Sequence, residues 1–293
     1  MCIRTPPPPP SGGFNLELRS SDLECLDYVM WLGNGNIIAN ILKCDQSNVS
    51  KKKQNCLDYF GLYANKTSNF WTLFGDTKLL SYARSAAQQY RLSTGSIRIS
   101  LPNNFRGVTD KILPSNYMGI VDHIISPFEK LILLDAHIID GVLLNDGDEP
   151  EASQLEKYDC TMLSEVKIDI IGADHSISNL NKPLKLLTAE SWKDTPRNMQ
   201  IIKSRCQPLQ IKGHRYTYKN YEALVNAKLA CAIGDKFLQK INPSWNIINK
   251  DILMQGKYIF VTRKNLDYDF SDLVSLMDQE LNRGGSTKSI QTK

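Results

Sequence analysis

"GNGNIIANILKCDQSNVSKKKQNCLDYFG", residues 33–61, decides how the chain is read. Ile37, Ile38, Ile41 and Leu42 share one face of a short predicted helix, and Asp45 stands as the cap of a second helix running to Phe60 and Gly61. On that second helix Val49, Cys56, Leu57 and Phe60 fall on one apolar face, with Ser47, Lys51 and Gln54 opposite. The polar run is therefore one side of a helix and not a loop. Two short helices joined by a tight turn can set the second into a major groove, where Gln, Asn and Ser edges read bases and Lys neutralises phosphates. The same pattern also serves plain core packing, with the lysines as a solvated face. Local charge favours a polyanion: between residues 43 and 66, Lys43, Lys51, Lys52, Lys53 and Lys66 stand against Asp45 and Asp58.

Working outward, residues 1–13 hold five consecutive prolines and a Gly-Gly, which favour an extended arm over a packed segment. "SSDLECLDYVMWLG" predicts a helix with Ser21 or Asp22 as its N-cap and Gly33 as its stop. After residue 61, "LYANKTSNFWTLFG" alternates loosely around polar turn residues and reads as a small hairpin, or wing. Asp76 then caps a long helix over about 76–92, packed by Leu79, Leu80, Tyr82, Ala83 and Ala87 and ended at Gly95. Beyond it short strands alternate with helices in "SIRISLP", "HIIDGVLL", "EVKIDIIGA", "YEALVNAKLACAI" and "GKYIFVTRK", the pattern of an α/β domain. The expected organisation is a disordered arm (1–20), a winged helix-turn-helix domain (21–75), a linker helix (76–94), an α/β domain (95–282) and a flexible tail (283–293).

The totals add little about partners: 35 basic against 31 acidic residues give a net charge of +4, so any case for nucleic acid rests on where the charges sit. No run of 18 apolar residues occurs, and prolines occupy the place of a signal peptide's apolar core, so a cytoplasmic location is expected. Cys2, Cys25, Cys44, Cys56, Cys160, Cys206 and Cys231 show no C-x-x-C pair and are expected to be reduced, mostly buried thiols, with Cys160 and Cys206 the one candidate redox pair.

The order of elements resembles the N-terminal winged helix-turn-helix of LysR-type transcriptional regulators. That family places a glycine before the first helix of the motif, Ser-Gln-x-x-Val-Ser at the start of the recognition helix, Leu-Gly at its end, Thr-x-x-Gly before the linker helix and often Leu-Leu-x-Tyr-Ala-Arg within it. The matching positions are Gly33, Ala39, Leu42, Gln46, Val49, Ser50, Phe60, Gly61, Thr72, Gly75, Leu79, Leu80, Tyr82, Ala83 and Arg84. Fainter likeness continues through "HIIDGVLLN", "EVKIDIIGADHSIS", "SWKDTP" and "ALVNAKLACAIGDKFL" to about residue 281.

The resemblance implies a homodimer joined through the linker helices, or a homotetramer. It also implies a periplasmic-binding-protein-like effector domain of two Rossmann-like halves, in whose cleft a small metabolite binds. It implies further that Gln46, Ser47, Asn48, Lys51 and Gln54 address the major groove and that Ser50, Lys52, Lys66 and Thr67 address phosphates. Ser100, Asn103 and Asn104, after the first strand of the α/β domain, form either an anion-binding loop for the effector or a plain turn.

The chain also departs from the family. Lys53 stands where an apolar residue is usual, turned by the helical repeat toward the core, where its stem can pack while the ammonium snorkels. The wing offers Asn65, Lys66, Ser68 and Asn69 where arginine is frequent, and Lys228 and Ala230 replace two glycines of the cleft helix. Between Pro196 and Val225 the chain is shorter than the pattern by about a helix.

Other chemistry finds no foothold. His123, His137, His175 and His214 are far apart and lack ligand spacing, so no metal is expected. "NDGDEPEASQLEKYD" lacks the spacing of a calcium loop and reads as solvated. Trp192 and Arg197 suggest hinge packing, with an anion contact as the other reading of Arg197. No phosphate loop, nucleophile elbow or paired-carboxylate motif occurs, so neither enzyme activity nor a cofactor is expected. The rival reading is a small-molecule-binding module or enzyme built on the α/β domain, with the N-terminal helices used only to dimerise.

Overall fold

The computed structural model describes residues 18–67, 70–102, 105, 113–121, 125–145, 148–172, 184–187, 206–209, 225, 231–234 and 244–283. The chain divides into two compact units, 1–89 with 136–138 and 90–135 with 139–293.

The first unit is built around α1 (Ser20–Leu32), in which Leu23, Cys25, Leu26, Tyr28, Val29, Met30, Trp31 and Leu32 are all buried. A helix apolar on nearly every side must lie inside a cluster of other elements. It begins slightly before the expected cap: Arg19 occupies the N-cap position without a side-chain bond, and Asp22 lies buried in the first turn, where a carboxylate complements the helix dipole. Next comes α2 (Gly35–Ile41), capped by the Asn34 side chain, which accepts from the N–H groups of Asn36 and Ile37.

The expected apolar face of α2 is only half correct. Ile38 and Ala39 are buried, whereas Ile37 is 47% exposed, because two turns of helix set against α1 and the following helix cover just those adjacent positions. The turn out of α2 is a Schellman motif closed by Cys44 N–H to Ala39 O at 2.9 Å, with Lys43 at φ 49 in the position that usually holds glycine.

That turn leads to α3 (Gln46–Tyr59), with Asp45 at the N-cap position but making no side-chain bond there. Val49, Cys56 and Leu57 are buried, as the periodicity predicts. The same closing motif ends this helix, with Leu62 N–H on Leu57 O at 2.8 Å and Gly61 at φ 64. Strands β1 (Tyr63–Thr67) and β2 (Phe70–Phe74) follow as an antiparallel hairpin in which Tyr63 opposes Phe74 and Lys66 opposes Trp71. The wing is thus present as expected.

The linker helix α4 (Lys78–Thr94) starts where Asp76 Oδ1 accepts the Lys78 N–H at 3.1 Å, and it runs two residues past the expected end. Its buried positions include Leu80, Arg84 and Gln88, spaced at four residues. Leu79 and Tyr82, expected to pack, are instead 60% and 73% exposed. Periodicity alone merges two faces: one turns inward and carries polar side chains, while the other turns its apolar side chains to solvent.

In the second unit the elements are β3 (Ile97–Leu101), β4 (Tyr117–Val121), α5 (Pro127–Asp135), β5 (Gly141–Asn145), β6 (Tyr158–Gly172), β7 (Leu184–Leu187), β8 (Cys206–Leu209), β9 (Cys231–Gly234), β10 (Asn246–Arg263) and α6 (Ser271–Arg283). The eight strands form one sheet in the order β4-β3-β5-β10-β6-β9-β7-β8. Two parallel triplets, β4-β3-β5 and β8-β7-β9, each read second-first-third in chain order. Each is closed by one of two long strands: β10 runs antiparallel to β5 and β6 antiparallel to β9.

The long strands also pair with each other from Asn246↔Gly172 to Arg263↔Tyr158, with register shifts between Ile247 and Ile259. Two parallel strand triplets sharing a pair of long antiparallel strands match the sheet of the expected periplasmic-binding-protein-like plan. The core of the first half joins Ile97, Ile99, Leu101, Leu143, Phe260 and Phe270 to Leu273, Met277 and Leu281, the one-face positions of α6. Gly141 is confined by this packing, since a Cβ there would lie 2.6 Å from the Phe260 ring. Among the described residues no helix is long and apolar enough to cross a membrane.

Candidate nucleic-acid interface

The residues named for DNA lie on two neighbouring elements of the first unit. Along α3, Gln46, Ser47, Asn48, Ser50, Lys51 and Gln54 are exposed and Lys52 is half-buried, opposite the face that holds Val49, Cys56 and Leu57. Lys66 and Thr67, at the end of β1, are exposed on the wing. Burial of the apolar face fixes which side of α3 turns outward, so the polar surface follows from the core.

The α3 face is not uniformly free. Gln54 Nε2 donates to Asp58 Oδ1 at 2.8 Å, one turn further along, and the Gln46 side chain lies over Gly35, where an added Cβ would stand 3.0 Å from its Nε2. Ser47, Asn48 and Lys51 are left as the open edge of the helix's first turns. Lys66 Nζ donates to Gly33 O at 3.0 Å, placing an ammonium on the C-terminal cap of α1, where the helix dipole is negative. Lys53 is half-buried, with Nζ 4.5 Å from the centroid of the Trp71 ring, and Lys66 Nζ is 5.7 Å from the same ring. The expected snorkelling of Lys53 therefore has a definite destination, one that the helical repeat does not reveal.

Two buried pairs are invisible in the sequence. Arg84 Nε donates to Asp27 Oδ1 at 2.7 Å and its Nη2 lies 3.1 Å from Met30 Sδ, tying α4 to α1. Near the far end of α4, Arg91 Nη2 donates to Asp140 Oδ1 at 2.9 Å, while Asp140 Oδ2 accepts the Arg98 N–H at 2.9 Å. The seven-residue spacing of Arg84 and Arg91 on α4 shows that they share a face but names no partner for either.

Cys25 donates its thiol to Val49 O at 3.3 Å; burial pushes it up to about 11 and the buried Cys56 up to about 12, so both behave as packing groups. Cys160 is exposed and Cys44 half-buried, so of the four cysteines whose side chains are described two are buried and two are not, and Cys160 is a free thiol.

The remaining candidates divide between the described residues and those outside them. Ser100 is wholly buried within β3, whereas Asn103 and Asn104 lie outside the described residues, as do His123, His175, His214, Trp192, Arg197, Lys228 and Ala230. His137 donates from Nδ1 to Gln88 Oε1 at 2.6 Å. Among the described residues no group of three potential metal ligands comes together. Most described residues of the acidic loop are exposed, as expected, but Asp148 turns inward: it folds back on Asn145, its N–H on Asn145 O at 3.0 Å, and burial raises its carboxyl to about 6 against the lowering effects of Asn145 and Lys130.

No family model matches the chain, and no curated protein does. Solved structures similar to it include VV2_1132, a LysR family transcriptional regulator, at 14% identity over 92% of this chain and 100% of that one, with a TM-score of 0.48. ArgP from Mycobacterium tuberculosis is 15% identical over 92% of this chain and 98% of its own, also with a TM-score of 0.48. DarR from Vibrio fischeri, solved in complex with DNA, is 14% identical over 89% and 99%, with a TM-score of 0.47. These likenesses are distant, and the function proposed for the chain rests on its own residues.

Proposed function

We propose that the protein is a sequence-specific DNA-binding transcription regulator of LysR type. The observation that carries the reading is the exposed face of α3, where Ser47, Asn48 and Lys51 stand open on the second helix of a helix-turn-helix with a two-stranded wing after it. Side chains of these types satisfy both needs of a groove-reading helix: amide and hydroxyl groups for base edges, and ammonium groups for phosphates. The reading assigns Gln46, Ser47, Asn48, Lys51 and Gln54 to bases, and Ser50, Lys52, Lys66 and Thr67 to the backbone. Lys66 reaches a phosphate only by leaving the Gly33 carbonyl.

A second copy of the chain completes the regulator. Leu79, Tyr82 and Tyr90 lie along one exposed stripe of α4 at intervals of three and eight residues. Covering such a stripe with its counterpart on another chain removes apolar surface from water and sets two recognition helices against one duplex. Small-molecule control is assigned to the α/β domain; Ser100, buried within β3, is not part of an open effector loop.

The test is a mobility-shift assay on DNA upstream of the protein's own coding region. Wild type is expected to retard it, and the Lys51→Ala/Lys52→Ala double variant to do so far more weakly. Equal, feeble retention of both would remove the α3 face from the account.

A further inference from the structure

We infer that Lys53 is a positioning residue for DNA recognition, acting through Trp71 to hold the wing against α3 without itself meeting a phosphate. The inference rests on the DNA-binding reading. Two elements converge on the indole that β2 carries: Lys53 from α3 places its ammonium 4.5 Å from the ring centroid, and Lys66 from β1, the cross-strand partner of Trp71, places its own at 5.7 Å. Lys66 also donates to Gly33 O, so the chain of contacts runs from α3 through both wing strands to the C-terminal cap of α1. The indole Nε1–H is buried and finds no acceptor among the described residues. Packing and the two cations, not a hydrogen bond from the indole, therefore hold the ring.

The geometry separates Lys53 from its neighbours. Lys51 is exposed on the open face, whereas Lys53 is half-buried with its charge over an aromatic face, an arrangement that stabilises an ammonium at partial desolvation. A lysine drawn onto Trp71 contributes nothing to counterion release, but it fixes the angle of the hairpin whose tip is to reach the backbone. The result is a cation–aromatic bolt between helix and wing.

The test uses the full chain as wild type, Lys53→Met, Lys53→Arg, Trp71→Leu and the Lys53→Met/Trp71→Leu pair. Without DNA, amide exchange over residues 63–67 and 70–74 is expected to rise about fivefold in Lys53→Met and to stay at the wild-type rate in Lys53→Arg, since Arg retains the cation over the ring. In the Trp71→Leu background, Lys53→Met should add nothing further. On a labelled duplex from the upstream region, Lys53→Met should weaken Kd about three- to fivefold while leaving the slope of log K against log salt unchanged.

Unchanged exchange in Lys53→Met, additive effects in the pair, or a salt slope reduced by about one unit would each overturn the inference, the last by making Lys53 a phosphate contact. If wild type binds no DNA, the DNA-binding reading falls, and the exchange measurements still decide whether Lys53 holds the wing.

Discussion

Arg84 Nε meets Asp27 Oδ1 at 2.7 Å with the two side chains 5% and 1% exposed, so the linker helix is joined to α1 by a charge pair almost wholly removed from water. A buried pair of this kind contributes little compared with a well-packed apolar pair, yet losing one partner leaves a buried, uncompensated charge. Asp27→Asn is therefore expected to lower unfolding stability by about 3 kcal/mol in urea titration, while the double change Asp27→Leu/Arg84→Met should lose far less. Equal losses in the two variants would mean the pair stabilises in its own right.

The two Schellman turns of the first unit give a matched pair of backbone tests. Lys43 holds the left-handed position at φ 49, where a side chain costs about 1 kcal/mol relative to glycine; Gly61 holds the equivalent position at φ 64 with open space around it. Lys43→Gly is expected to stabilise the protein by about 1 kcal/mol and Gly61→Ala to destabilise it by a similar amount, both read from the denaturation midpoint. An exposed lysine removed without gain would show that its side chain contributes elsewhere.

Asp148 sets a pH dependence. Burial raises its carboxyl from 3.8 to about 6, so between those values the folded state holds a proton that the unfolded state has released. Stability contributed by this group is fully present below pH 4 and is lost as pH rises through about 6. Asp148→Asn should flatten the stability profile between pH 4 and 6 and raise stability at pH 7, measured by thermal melts across the range. A profile identical to wild type would place Asp148 in water.

How far the sequence carried the fold differs between the units. The helix-turn-helix, the wing and the linker helix were legible, because apolar residues at helical spacing and glycines at helix ends act locally. Leu79 and Tyr82 were misplaced because periodicity reports that a face is apolar and not which partner covers it. Lys53 on Trp71, and Arg84 on Asp27, join residues 18 and 57 positions apart, and no local pattern encodes such pairs. In the second unit individual strands were visible, but the order that weaves β10 between β5 and β6 depends on long-range pairing. Of the effector candidates only Ser100 lies among the described residues, and its burial inside β3 is the opposite of what an open loop residue would show.

The exposed stripe on α4 predicts the oligomer. Leu79→Glu combined with Tyr82→Glu, at positions 60% and 73% exposed in the single chain, should leave the fold intact and shift light scattering from a dimer or larger assembly to a monomer. Wild type already monomeric at micromolar concentration would contradict the proposed assembly.

The central claim is that the outer face of α3 binds DNA, and the salt dependence of binding tests it most directly. Fluorescence anisotropy with an upstream duplex should give a linear fall of log K with log salt, and Lys51→Ala/Lys52→Ala should weaken binding and reduce that slope by about one unit per monomer engaged, at roughly 0.9 for the phosphate left without Lys52. An identical slope and affinity in wild type and double variant would contradict the account.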